Sequence, residues 1–173
     1  MASAAESERF TLLESSLSDA AQVLVDIYSR YLFETEVVDT CDDHFMTVDE
    51  LKAAMLRAQD ASYGDGLDPE VRHPYMWACK SHYYSSGLNF YNFPYAFGQL
   101  FARGLFAIYL NEGASFAPKY CELLRSCGSA PVVQVAASAG IDVRSIDFWR
   151  RSLETYRSDI DEFCQLSKSL YGV

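Results

Sequence analysis

Apolar residues recur at spacings of three and four across residues 9–38: Phe10, Leu13, Leu17, Ala20 or Ala21, Leu24, Ile27 or Tyr28, Tyr31 and Leu32. An α-helix turns once in about 3.6 residues, so these positions share one face and predict a long amphipathic helix. Residues 1–8, small and polar, read as a flexible start. Asp26, Arg30 and Glu34 follow at i, i+4 and i+8 and line up on one face. They can form a ladder of ion pairs, and the plain alternative is a solvated face on which such pairs contribute little. The polar run DTCDDHF, residues 39–45, breaks the pattern. His44 beside Asp42 and Asp43 suggests a metal, but three adjacent loop residues rarely converge on one centre, so no ligand role is expected. Thr47 with Glu50 three residues on reads as a capping box, opening a helix through about Ala61 with Leu51, Ala54, Met55 and Ala58 inward. The stretch SYGDGLDP, residues 62–69, is a loop by its glycines, proline and aspartates.

The segment HPYMWACK, residues 73–80, reads as an irregular helix or an extended run. Beyond it, Ser85-Ser86-Gly87 forms a turn that lets the chain on either side, bearing His82 and Tyr91, fold back together. Pro94 suits the first turn of a helix, where its missing N–H is no loss. That helix runs to about Asn111 with Phe97, Leu100, Phe101, Leu105, Ile108 and Tyr109 facing inward. Gly98 and Gly104 weaken it, so both are expected to admit close approach of another backbone. A further helix spans residues 116–127, and a short one spans 132–138, ended by Gly140. Ser145 caps a last long helix carrying Phe148, Trp149, Leu153, Tyr156, Ile160, Phe163 and Leu166 inward. No run of alternating strands is present. The pattern predicts an all-α fold of about six helices in a single domain over residues 9–173.

Composition narrows the function classes. A chain of 173 residues, half of them apolar, is long enough to bury a sizeable core. The net charge of −10, with basic residues scattered singly, disfavours nucleic acid and anionic membrane surfaces, which need clustered Lys and Arg. Five cysteines form no CxxC pair, and no signal peptide precedes them, so free thiols in a cytoplasmic protein are expected. No apolar run approaches the ~20 residues of a membrane span.

Residues 80–103, KSHYYSSGLNFYNFPYAFGQLFAR, carry the densest candidate chemistry: His82, Tyr83, Tyr84, Tyr91 and Tyr95 cluster there, with Tyr75 just upstream. Tyr and His bury a ring but need a partner for the polar tip, which suits the wall of a cleft. A packed aromatic knot is the alternative, and the residues alone leave both open. A histidine among tyrosines can donate hydrogen bonds to an oxyanion. Something else must activate water, and no H-E-x-x-H, phosphate-binding Gly-rich loop or G-x-S-x-G elbow is present to do so.

The run HPYMWACKSHYYSSGLNFYNFPYAFGQLFARGL resembles the C-terminal segment of the oligoendopeptidase F branch of the thimet-oligopeptidase-like zinc metallopeptidases. LLESSLSDAAQVLVDIYSRYLFE is similar to the helix that follows the zinc site in that family, and GIDVRSIDFWRRSL to its closing segment. The resemblance implies the C-terminal helical portion of an all-helical, thermolysin-like zincin peptidase that takes short peptides. It places the zinc ligands and the general-base glutamate before residue 1. Zinc is therefore a cofactor of the full-length family and is not expected on this chain, which alone is expected to be inactive. The resemblance implies a substrate-binding, oxyanion-stabilising role for His82 and Tyr95, with Tyr91 the second tyrosine. Related sequences often have a further tyrosine where this one has Phe93, so one hydroxyl is absent and the division of labour between Tyr91 and Tyr95 stays open. A catalytically inactive relative serving as a peptide-binding or helical interaction module is the alternative. Faces that would meet the zinc-bearing helices are expected to promote self-association.

Overall fold

The computed structural model describes residues 5–172, and every regular element among them is helical. Two compact units are distinguished: Ser18–Phe97, and the segments before Ser18 and after Phe97.

The predicted long helix, whose residues before Ser18 fall in the other unit, is present but interrupted. Helix α1 (Glu6–Ala21) passes into one π turn (Gln22–Asp26) and continues as α2 (Ile27–Cys41). Of the expected flexible start, residues 1–4 lie outside the described residues and α1 already begins at Glu6. A π turn inserts one extra residue and rotates the faces that follow. Here Asp26 and Arg30 turn into the protein, only 5% and 8% exposed, and pair with one another. Of the two readings, a ladder of ion pairs or a solvated face, one rung of the ladder forms, and it is buried instead of solvated. Glu34, its third member, bonds instead to the backbone N–H of Phe90 at 2.7 Å.

Helix α3 (Val48–Tyr63) packs on α2 around Phe33, Ala54, Met55 and Ala58, with Leu51, Met76, Trp77 and Tyr83 against them. Its start is the expected capping box. Thr47 N–H donates to Glu50 Oε2 at 2.7 Å, and Glu50 N–H donates back to Thr47 Oγ1 at 3.3 Å. His44 joins this cap: its Nε2 lies 3.0 Å from Glu50 Oε1. The bonds from the Thr47 backbone and hydroxyl, then from His44, hold the Glu50 carboxyl down to about 2 from the usual 4.5. A carboxyl lowered by folding stabilises the fold fully above its unfolded value and ceases to do so as pH falls through its folded value. The cap is therefore expected to weaken between about pH 4.5 and 2. Thr47→Ala should lower stability by about 1 kcal/mol at pH 7 and move the Glu50 carboxyl, followed by NMR, back towards the ordinary range.

Helix α4 (Phe93–Glu112) opens with Pro94 in its first turn, as expected, and from Gly98 onward belongs to the other unit. Helices α5 (Ala117–Ser126), α6 (Val132–Ser138) and α7 (Ile146–Tyr171) complete the unit, and Ser145 caps α7 by accepting from Asp147 N–H at 3.3 Å. The core gathers Leu105, Phe116, Leu123, Val135, Ala136, Ile141 and Phe148. Gly104 makes the expected close approach, and its partner is a side chain. A Cβ built there would lie 2.3 Å from Phe148 Cζ and 2.7 Å from Ser152 Oγ. Gly98 has open space around it, against expectation.

Two inward-facing sets are also corrected. On α4 only Gly104 and Leu105 are fully buried, while Phe97, Leu100, Phe101 and Ile108 are half-buried and Tyr109 is exposed. The reason is a polar seam: Gln99 donates to the Tyr156 hydroxyl at 2.8 Å, and Arg103 donates to Asp159 at 2.6 Å with its guanidinium 4.1 Å above the Tyr156 ring. On α7, Phe148, Ser152 and Tyr156 face inward, which leaves Leu153 and Ile160 exposed. No described helix is long and apolar enough to cross a membrane.

Candidate functional site

The candidate residues lie in the Ser18–Phe97 unit, on the irregular chain between α3 and α4. HPYMWACK folds into a 3-10 turn at Met76–Cys79, and a second at Ser81–Tyr84 carries His82. Short 3-10 turns point successive side chains about 120° apart, so neighbours on one turn have different surroundings. Tyr83 points into the core. Its hydroxyl donates to the Arg30 carbonyl at 3.2 Å, its ring meets Phe33 edge-on at 5.4 Å, and burial, then the nearby Glu34 charge, push the phenol's pKa up. Tyr84, one residue on, is exposed.

The chain reverses through Leu88 N–H, which donates to the Ser85 carbonyl at 2.9 Å, at the Ser85-Ser86-Gly87 turn. His82 and Tyr91 come together as expected, their rings stacked with centroids 5.1 Å apart and planes 18° apart. Tyr95, in the first turn of α4, meets Tyr91 edge-on at 5.9 Å. The structure thus joins the three sequence candidates into one short ladder of rings. The ladder opens to solvent: Tyr91 and Tyr95 are 40% and 48% exposed, while His82 is half-buried. Neither tyrosine hydroxyl is bonded to a protein group among the described residues, and both residues are open to solvent. Phe93 is exposed and packs on Phe97 at 6.5 Å, so an apolar ring stands beside the ladder.

Tyr75 and the remaining histidine take no part in the ladder. The Lys52 ammonium lies 5.6 Å above the Tyr75 ring, and His73 Nδ1 accepts from Tyr75 N–H at 3.2 Å. Two residues that the sequence did not mark as site candidates belong beside the ladder. Glu34 holds Phe90, next to Tyr91. Asn92, between Tyr91 and Phe93, is 2% exposed with both side-chain amide atoms unpartnered among the described residues. Helical periodicity placed Glu34 only in a possible ion-pair ladder, because it acts on a loop 56 residues away, and no local signal set Asn92 apart.

Among the described residues no group of three or more His, Cys, Asp and Glu is placed to hold a metal ion. The ladder is a set of hydrogen-bond donors and aromatic faces suited to a carbonyl and its neighbouring side chain.

Over 99 residues the chain is 32% identical to the plasmid-borne oligoendopeptidase F of Lactococcus lactis subsp. cremoris. The same identity over the same length relates it to the oligoendopeptidase F homolog of Lactococcus lactis subsp. lactis strain IL1403. Each match takes in 57% of this chain and 16% of the relative, so the chain spans a small part of the relatives' length. The relationship is distant and partial. No protein-family model and no solved structure matches the chain.

Proposed function

We propose that the ring ladder binds short peptides, and that the chain supplies the substrate-binding, oxyanion-stabilising wall of a metallopeptidase of the oligoendopeptidase F type. The observation that carries this reading is the meeting of His82, Tyr91 and Tyr95 on an open face with free donors outward. An extended peptide presents carbonyl oxygens in need of donors. The Tyr95 hydroxyl and the His82 ring N–H can each donate to a scissile carbonyl oxygen and hold the negative charge that develops there when water adds. Tyr91 fixes the imidazole plane by stacking and offers a second hydroxyl. The water-activating group is not among these residues, so the chain binds and polarises without cleaving.

The match to the two oligoendopeptidases supports a peptidase relationship, and the tyrosine and histidine donors supply what a peptide carbonyl needs. The competing reading, a non-catalytic peptide-binding module, shares the same face. Two measurements on the 173-residue chain test the proposal. Calorimetric titration with short peptides should show saturable binding that His82→Ala weakens at least tenfold, the scale of losing one strong hydrogen bond, with helicity unchanged. Elemental analysis and a peptide-hydrolysis assay should find neither stoichiometric zinc nor turnover. Turnover with bound zinc would overturn the binding-only role, and peptide affinity indifferent to His82→Ala would overturn the site.

Exposed Phe106, Tyr109 and Leu110 on α4 support self-association as a second property of the chain. Light scattering should show a mass that grows with concentration, whereas a constant monomer mass would count against it.

A further inference from the structure

Both sides of the ring ladder are tied to one helix. On the His82 side, the neighbouring Tyr83 donates to the Arg30 carbonyl at 3.2 Å and is also packed against the buried cluster of Phe33, Ala54, Met55 and Ala58, its ring edge-on to Phe33 at 5.4 Å. On the Tyr91 side, the neighbouring Phe90 donates its N–H to Glu34 Oε1 at 2.7 Å and rests its ring on Tyr31 at 5.7 Å. Arg30 and Glu34 are one helical turn apart on α2, so the two ties stand one above the other.

The ties differ in strength and in kind. The first is a ring embedded in the core, which does not depend on a single bond. The second depends on a carboxylate, and it holds the chain where the backbone resists. Phe90 has φ of 53°, the one described non-glycine residue in the left-handed region. A residue with a Cβ avoids that conformation unless its surroundings enforce it. Between the ties, Ser86, Gly87, Leu88 and Asn89 are all exposed, and no packing there holds the turn. Released from Glu34, Phe90 would return to an ordinary backbone conformation and swing Tyr91 off the imidazole.

We propose that Glu34 is the positioning residue of the ladder, its carboxylate holding Phe90 in the left-handed conformation that stacks Tyr91 on His82. The proposal deepens the peptide-binding reading and rests on it for its functional consequence, though not for its structural one. Glu34 bonds to Phe90 and makes no hydrogen bond to His82 or Tyr91.

The test compares Glu34→Ala with Glu34→Gln in the full chain, the amide keeping an oxygen that accepts from Phe90. NMR reads two signatures: the nuclear Overhauser contact between the His82 and Tyr91 rings, and hydrogen exchange of the Phe90 amide. In Glu34→Ala the ring contact should vanish and Phe90 exchange should rise about tenfold or more, while the α3 amides of Met55 and Ala58 stay protected. In Glu34→Gln the contact should persist. In the unmodified chain the Phe90 amide shift should follow titration of the Glu34 side-chain carboxyl, a measurement that stands even if the alanine variant does not fold. A ring contact that survives Glu34→Ala, equal loss in both variants, or a Phe90 shift indifferent to Glu34 would overturn the assignment. Peptide affinity should fall with the ring contact. If the contact vanishes as expected but the unmodified chain binds no peptide, Glu34 keeps its positioning role and the peptide-binding reading falls.

Discussion

Asp26→Ala is expected to destabilise the protein by about 3–5 kcal/mol. The carboxylate and the Arg30 guanidinium are paired with side chains only 7% and 10% exposed, so neither can regain water if its partner is removed. Arg30 carries its charge at every accessible pH and cannot escape by losing a proton. The pair is also incompletely satisfied: Asp26 Oδ1 and Arg30 Nε have no partner among the described residues. Its net contribution is therefore small while the loss of one half is large. The charge of Asp26 acts on its surroundings too, since burial first and Asp26 second push the Tyr63 phenol up to about 12. Replacing both residues together, as Asp26→Leu with Arg30→Met, should be nearly neutral or stabilising. Urea titration of the two variants reads the difference directly. A loss below about 1 kcal/mol for Asp26→Ala is what a solvated pair gives, and would show that the rung is not buried.

Gly104→Val should be the most damaging single change in the unit built around Leu105 and Phe148. Even the alanine Cβ would sit 2.3 Å and 2.6 Å from two carbons of the Phe148 ring, well inside contact distance. Phe148 cannot yield cheaply, because it is 4% exposed and packs against Phe101 at 5.8 Å and Trp149 at 5.0 Å. Overpacking of this kind costs about 1–3 kcal/mol. Removing a helix-interior glycine returns at most about 1 kcal/mol. Gly104→Ala should therefore lose stability on balance, and valine, with two more carbons and a stiff χ1, should lose more. At about 2–4 °C per kcal/mol for a chain of this size, a fall of several degrees in Tm is expected. Gly104→Ala combined with Phe148→Leu should recover part of the loss, since the two sites share one space. An alanine variant as stable as the parent would mean that the α4 and α7 backbones can part without penalty.

The helices were legible because amphipathic spacing and caps are local: Thr47 with Glu50, Pro94 and Ser145 act where the sequence says they do. Burial was less so. Spacing assigns Tyr109 and Leu153 to apolar faces, yet it cannot tell that Arg103 and Gln99 turn the seam between α4 and α7 polar, or that Ser152 takes the inward place beside Gly104. The π turn was invisible for a related reason. One inserted residue leaves the apolar count unchanged but moves Asp26 and Arg30 from the surface inward. The ring ladder was half legible. The turn that brings His82 and Tyr91 together is announced by Ser85-Ser86-Gly87, whereas the bond from Phe90 to Glu34 depends on tertiary approach. Tyr83 belongs to the same cluster in sequence but to the core in space, and only the 3-10 turn at Ser81–Tyr84 separates the two roles.

The central claim is that His82, Tyr91 and Tyr95 form a peptide-binding face. Its most direct test is an NMR titration of the intact chain with a short unlabelled peptide, following the ring resonances of His82, Tyr91 and Tyr95 together with Leu105, Phe116 and Tyr120 beside an apolar cavity of about 320 Å³. Saturable shifts confined to the ladder and its flanking amides, abolished by His82→Ala, are the expected result. Shifts confined to the cavity, or no saturable shift at any peptide concentration, would contradict the claim.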